Sequence, residues 1–227
     1  MVTERDRVGG WTDDSEISTD LNARILHSFL GDKWAEKDFF GRRKMWRMSI
    51  YGAFQDELKG SGKGEPRGLY AALSRQTDDL ENRGVIGCTT YHANGNHIYV
   101  MPAQTERTLL AIWNEPADGL TASKCPRIPH ELNLRILDSF FDTWSERDIF
   151  GRRKTDSSMI SNSVSEAGAI KIDFLGPRGF YNSIKEQTDD LENRGVIVCT
   201  KHGRRGNNQY FMPKQTERTV LALRQKN

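Results

Sequence analysis

Eleven residues, QTDDLENRGVI, occur at positions 76–86 and again, letter for letter, at 187–197. Their carboxylates, Asp78, Asp79 and Glu81 with Asp189, Asp190 and Glu192, are of the types that hold cations or move protons. A metal site wants such groups converging from several elements with defined geometry. Here they crowd onto the end of one helical pattern, with no acidic or histidine cluster close by in sequence. The phrase therefore reads as a helix end: Leu80 and Ile86 in the core, Gly84 as the cap, the carboxylates on a solvated face. His92 and His97 stand five apart, but the second copy carries Gly203 and Asn208 at their places, and no cysteine or carboxylate completes a zinc set. Cys88, Cys125 and Cys199 have neither metal-ligand nor disulfide spacing. Cys88 and Cys199 are expected to be small buried hydrophobes in a reducing, intracellular setting. No GxSxG, P-loop, HExxH or GxGxxG pattern appears, and no serine has a matching base. The expectation is no enzyme, no catalytic residue, no metal and no cofactor.

The elements around the phrase repeat as well. LNARILHSFL (21–30) matches LNLRILDSFF (132–141), and WAEKDFFGRRK (34–44) matches WSERDIFGRRK (144–154). PRGLYAALSRQTDDLENRGVIGCT (66–89) matches PRGFYNSIKEQTDDLENRGVIVCT (177–200), and MPAQTERTLLAI (101–112) matches MPKQTERTVLAL (212–223). Each copy is long enough for a small domain of its own. The stretch between them, 114–129, has three prolines and small polar residues and reads as a linker. The expected division is a disordered tail at 1–16, a first domain at 17–113, the linker, and a second domain at 130–227.

Within one copy, Leu21, Ile25, Leu26 and Phe29 recur at helical spacing, as do Leu132, Ile136, Leu137 and Phe140, which predicts a first helix with Asp20 as an N-cap. Trp34 and Trp144 are expected to anchor the core. Leu69, Leu73 and Leu80, matched by Phe180, Ile184 and Leu191, form the stripe of a later helix that starts near Pro66 or Pro177 and ends at Gly84 or Gly195. Val85–Thr90 and Val196–Thr200 read as strands, and Asn94-Gly95 as a two-residue hairpin turn, with Arg205-Gly206-Asn207 in its place in copy two. Tyr99–Met101 and Tyr210–Met212 return, Pro102 and Pro213 end the hairpin, and QTERT opens a closing helix. MWRMSIYGAFQDELK (45–59) has an amphipathic helical pattern; SSMISNSVSEAG (157–168) is a weaker helix, followed by strand-like AIKIDFL (169–175). The place of the second helix between them is left open.

This order, and above all the helix ending in LENRGVI with the hairpin behind it, resembles a winged helix-turn-helix domain. The likeness covers roughly 40 residues of each copy and reaches the superfamily alone. It implies an α+β, mainly helical fold of two tandem winged-helix domains arising from internal duplication. It also implies that the N-terminal half of the third helix enters a DNA major groove. The outward residues there are Arg67, Tyr70, Ala71, Ser74 and Arg75 in copy one, and Arg178, Tyr181, Asn182, Lys185 and Glu186 in copy two. The hairpin of copy two adds Lys201, His202, Arg204 and Arg205, a basic wing suited to phosphate or minor-groove contact. GRRK recurs as Arg42, Arg43 and Lys44 and as Arg152, Arg153 and Lys154, to grip phosphate or to cover a helix end.

Charge neither forces nor forbids that reading. Residues 1–16 carry net −3, 17–115 net +1 and 128–227 net +3, so any nucleic-acid surface comes from local placement. No run is long and apolar enough to span a bilayer, and the N-terminus lacks the apolar stretch of a signal peptide. The expected function is duplex DNA binding by a single-chain pseudo-dimer, as a transcriptional regulator or an origin binder in the cytoplasm, nucleoid or nucleus. No membrane and no small-molecule partner is expected. The alternatives are a protein-interaction scaffold in a larger complex, favoured by the balanced charge, and RNA binding, favoured by aromatic residues near the wings. Steep loss of affinity with salt separates phosphate contact from the scaffold reading.

Overall fold

The computed structural model describes residues 14–31, 33–60, 68–113, 130–166, 176–201 and 208–224, without the side chains of 14–20, 130–131, 166, 176–178 and 201. The first repeat folds as α1 (Asp14–Ser28), β1 (Glu36–Lys37), β2 (Arg43–Trp46), α2 (Arg47–Gly60), α3 (Leu69–Asn82), β3 (Gly87–Thr90), β4 (Ile98–Val100) and α4 (Ala103–Ile112). The second follows the same order: α5 (His130–Asp138) extended by a 3-10 turn (Ser139–Phe141), β5 (Glu146–Arg147), β6 (Arg153–Asp156), α6 (Ser157–Glu166), α7 (Gly176–Asn193), β7 (Val198–Lys201), β8 (Gln209–Phe211) and α8 (Lys214–Arg224). The fold is α+β and mainly helical, with two four-stranded antiparallel sheets of order β1-β2-β4-β3 and β5-β6-β8-β7.

The second helix now has its place. It starts directly from a strand, β2 or β6, that the sequence reading missed, because GRRKMW and GRRKTD show no apolar alternation over so short a run. In β2 the buried side chains are Arg43 and Met45 and in β6 Thr155, so the inward positions hold a single apolar residue between them. The segment 169–175 lies outside the described residues. The first helix begins at Asp14, so Asp20 sits within it and does not cap it.

The end of the third helix shows why the eleven-residue phrase is fixed in form. Gly84 and Gly195 take φ of +68° and +69°, the left-handed cap expected of them. The Gly84 N–H donates to Glu81 O at 2.7 Å and the Val85 N–H to Leu80 O at 2.9 Å. Gly195 and Val196 make the same two bonds to Glu192 O and Leu191 O, both at 2.8 Å. Leu80 with Val85, and Leu191 with Val196, are fully buried, supplying the apolar contact across the cap. The start of this helix departs from expectation: α3 opens at Leu69 after Gly68 at φ +80°, beyond Pro66, and α7 opens at Gly176, one residue before Pro177.

The hairpin turn also differs. The loop between β3 and β4 spans Tyr91–His97, and its tight turn closes from His92 O to the Gly95 N–H at 2.9 Å, centred on Ala93-Asn94. It is therefore not a two-residue connection at Asn94-Gly95. A bulge between Cys88 and Thr90 shifts the register and widens the ends. Cys88 and Cys199 are half-buried, short of the full burial expected.

Trp34 is half-buried, with its ring against the Cα of Gly52 on α2, where a Cβ would come within 3.1 Å. Asn162 occupies the equivalent place on α6, and there Trp144 stands 65% exposed. The expected second core tryptophan is a surface residue.

The compact units are cut differently from the repeats. One comprises residues 1–100 with Leu221–Asn227, the other Met101–Val220. The first repeat's closing helix, α4, thus belongs to the unit built on the second repeat, and the end of α8 belongs to the unit built on the first. Two buried asparagines at matching positions hold these exchanged ends. In the first unit the Asn22 side-chain amide donates to Ala222 O at 3.0 Å, and its oxygen accepts from Gln76 at 2.7 Å. In the second the Asn133 amide donates to Ala111 O at 2.7 Å. Both asparagines interrupt apolar stripes and donate to a buried helix carbonyl; the Asn133 oxygen, unlike that of Asn22, has no partner among the described residues. Inside the second unit α4 meets the start of α8 along a polar seam, with Gln104 donating to Gly195 O and Thr216, Gln215 donating to Thr105, and Thr108 facing Thr216.

Candidate nucleic-acid interface

The exposed side of the third helix is the first place to test. In copy one Tyr70 is partly exposed and sets its edge against Tyr51 of α2, ring centres 5.5 Å apart. Arg75 is exposed and has no ion-pair partner among the described residues. Ser74 is not an outward reader. Its hydroxyl accepts from Arg47 Nη1 at 2.8 Å inside a buried network.

That network was invisible in the sequence. Arg47, the first residue of α2, lies buried against Tyr99 of β4 and Asp78 of α3. Arg47 Nε donates to the Tyr99 hydroxyl at 3.1 Å, and that hydroxyl donates to Asp78 Oδ1 at 3.0 Å. Burial and then the hydrogen bond to Asp78 push the Tyr99 hydroxyl well above its ordinary range, so it stays a neutral donor. Burial opposes the Arg47 charge, but the hydrogen bond to Tyr99 and the fields of Tyr99 and Asp78 outweigh it, and the guanidinium is held more firmly charged.

The carboxylates of the repeated phrase are thus largely engaged close by. Asp79 pairs with Arg83 at 2.9 Å and Asp190 with Arg194 at 2.8 Å, while Tyr91 donates to Glu81. That bond to Glu81, and then burial, push the Tyr91 hydroxyl up to about 12. In the first copy two carboxylates of the face expected to be solvated, Asp78 and Glu81, tie α3 to α2, to β4 and to the hairpin loop. Among the described residues no group of three or more histidine, cysteine or acidic side chains could hold a metal ion.

The hairpin loop of copy one is itself tied down. The His92 N–H donates to His97 Nδ1 at 3.1 Å, Trp46 stacks on His92 at 5.3 Å, and Tyr91 meets His97 edge-on at 5.1 Å. Asn96 Oδ1 accepts the Met48 N–H at 3.2 Å and so helps cap α2. In copy two α6 is capped by its own Asp156, whose Oδ1 accepts the N–H groups of Ser158 and Met159, both at 2.9 Å. Tyr181, Asn182, Lys185 and Glu186 are all exposed on α7, and Lys185 has no ion-pair partner among the described residues. Arg67, His202, Arg204 and Arg205 lie outside the described residues, as do the side chains of Arg178 and Lys201.

GRRK sits at a β-turn and the strand after it, and its cations have structural work. Arg42 pairs with Asp38, and Arg152 with Asp148, both at 2.7 Å. Arg43 is buried and donates to Leu30 O at 2.9 Å and Phe29 O at 3.4 Å, just past the end of α1. Arg153 donates to Phe140 O at 3.2 Å and to Glu217 of α8 at 2.7 Å. Lys44 pairs with Glu36 at 3.1 Å and Lys154 with Glu146 at 2.6 Å, each across two strands. Of the two readings of this motif, covering a helix end is the one these bonds describe; a phosphate clamp would need Arg43 and Arg153 to leave their carbonyls.

No protein-family model matches the chain, and no curated protein or solved structure matches it.

Proposed function

We propose that the chain binds duplex DNA as a single-chain pseudo-dimer of two winged helix-turn-helix repeats, with the second repeat making the stronger contact. The element order helix, two short strands, helix, helix, hairpin and closing helix supports the winged-helix reading. So does the sheet order, in which the strand before helix two pairs with the return strand of the hairpin.

The observation that carries the functional reading is the face of α7. Tyr181, Asn182 and Lys185 are exposed together, a phosphate or sugar contact, an amide suited to base edges and a cation with no ion-pair partner among the described residues. The same face in copy one is weaker, since Ser74 is spent on Arg47. The basic run Lys201–Arg205 in sequence follows α7 and adds charge at the hairpin.

Anisotropy with a random-sequence duplex of about 30 bp, roughly three helical turns, tests this. Affinity should fall steeply with salt, and Lys185→Ala should flatten that dependence by about one unit of slope. Absence of binding at ~50 mM salt would sink the reading.

A further inference from the structure

The turns between β1 and β2 and between β5 and β6 hold apolar side chains out in water. Phe39 is 97% and Phe40 76% exposed; in the second repeat Ile149 is 93% and Phe150 65% exposed. Each turn is a built object. Asp38 Oδ1 accepts the N–H groups of Phe40 and Arg42 at 2.9 Å, and its Oδ2 accepts Arg42 Nε at 2.8 Å. Asp148 makes the same three bonds at 2.9, 2.8 and 2.8 Å. Gly41 and Gly151 take φ of +74° and +72°, which lets the chain reverse under the apolar pair. The Arg42 and Arg152 guanidinium groups lie 5.2 Å from the Phe40 and Phe150 ring centres. Nothing in the fold needs these side chains outside, and a turn of this type would accept polar residues at both positions.

From this we propose that each tip is a docking element for an anionic lipid surface, inserting Phe39 and Phe40 in the first unit and Ile149 and Phe150 in the second into the interfacial region. Three observations favour a bilayer over a protein socket or a duplex. Residues 36–44 and 146–154 each hold four basic and two acidic groups; with Arg43 buried and Glu217 set against Arg147 and Arg153, each tip keeps a net charge of about +1 beside its apolar pair, the sign that complements anionic headgroups. The most exposed position is a flat Phe in one tip and a β-branched Ile in the other, a change that a shaped socket resists and a fluid apolar layer accepts. The third is direction. Lys44 pairs with Val100 and Trp46 with Ile98, while Gly87 pairs with Val100 and Thr90 with Ile98. The tip before Arg43 therefore lies at the end of the sheet opposite the Tyr91–His97 loop. Strand register in the second sheet gives the same relation. The sequence reading ruled out membrane contact by weighing spans alone, and among the described residues no helix is long and apolar enough to cross. Docking by tips that lie in the interface is a different mode.

Co-sedimentation with vesicles of phosphatidylcholine containing about one-third phosphatidylglycerol tests the proposal. The full chain should pellet with these vesicles and do so weakly with phosphatidylcholine alone. Phe39→Ser with Phe40→Ser, or Ile149→Ser with Phe150→Ser, should each weaken binding several-fold, and all four together by about a hundredfold or more. These side chains touch little else, so melting temperature and duplex affinity should not change. Phe40→Trp should add a tryptophan signal that acyl-brominated lipid quenches. Three results would overturn the proposal: wild-type protein left in the supernatant at low salt, the fourfold variant binding as well as wild type, or tip variants that lose duplex affinity while vesicle binding is unchanged. The last would assign the tips to DNA.

Discussion

The two repeats are most alike where the backbone is hardest to make and least alike where a side chain meets solvent. The glycine-capped helix end and the Asp-caged turn repeat bond for bond. The second helix does not. Trp46, Arg47, Met48 and Tyr51 become Asp156, Ser157, Ser158 and Ser161. In the first repeat this helix and the hairpin loop hold each other, through Asn96 on the Met48 N–H and Trp46 on His92. In the second, Asp156 caps α6 from its own side of the sheet. In both copies the loop residue before the return strand bonds the first residue of the helix, His97 on Arg47 and Asn208 on Ser157, so the copies differ in the Asn96 and Trp46 contacts that the first adds. The proposal of a stronger contact in the second repeat rests on the helix face instead, where Ser157 stands in place of Arg47 and Lys185 is exposed at the position of Ser74.

The sharpest way to break the comparison is to test whether repeats or units govern stability. Ending the chain after Val220 removes residues of repeat two, yet it should destabilise the unit built on repeat one. Asn22 would lose its carbonyl partner and the buried Ala222 contact, at a cost of about 2–4 kcal/mol. Hydrogen exchange should show α1 amides opening faster while α5 amides keep their protection. Loosening of α5 with α1 unchanged would mean that each repeat keeps its own closing helix.

The second test converts one repeat toward the other. Arg47→Ser gives α2 the residue that α6 carries, leaving Asp78 and Tyr99 without their cation. Breaking a buried pair costs ~3–5 kcal/mol, but the Asp78 side chain is 47% exposed and can hydrate, so about 1–3 kcal/mol is expected. Urea denaturation with hydrogen exchange on α3 reads it. A loss no larger than a surface substitution would show that the network does not tie α2 to α3. The freed Ser74 should then be the only gain on the helix face.

Much of this was legible in sequence because it rests on local rules. A helix stripe followed by Asn-Arg-Gly, or a strand pair that returns through Tyr-x-Met to a proline, declares itself through backbone requirements of a few residues. The strand before helix two did not, because its buried positions are Arg43 and Met45 in one copy and Thr155 in the other, which give no apolar alternation over four residues. Nor did Arg47, whose partners are 27, 31 and 52 residues away and exist only once three elements meet. Asn22 and Asn133 did leave a signal, a polar residue repeated inside an apolar stripe, but which helix carbonyl each would satisfy depends on how the closing helices are exchanged. GRRK misled because a run of cations advertises a surface, whereas a carboxylate four residues upstream and two helix-end carbonyls consume it.

The smallest expected effect concerns the one device the repeats share in full. Burial pushes the Asp38 and Asp148 carboxyls up, but hydrogen bonds from the Arg42 and Arg152 side chains and from the turn N–H groups outweigh it, so both are held below the usual carboxylate range. A depressed folded pKa contributes stability that is present above the unfolded value, about 3.9, and is lost as pH falls through the folded one. Both turns should therefore hold at neutral pH and loosen only below about pH 4, since protonation removes the acceptors that order the Phe40, Arg42, Phe150 and Arg152 amides. Amide shifts of these four residues, followed by NMR from about pH 6 downward, should move together with midpoints below the unfolded Asp value. Divergent midpoints would show that Glu217, which pairs with Arg147 and Arg153 beside the second turn, sets its field differently from the first. The two tips would then be alike in bonds and unlike in electrostatics, which is the distinction the geometry alone leaves to the pH axis.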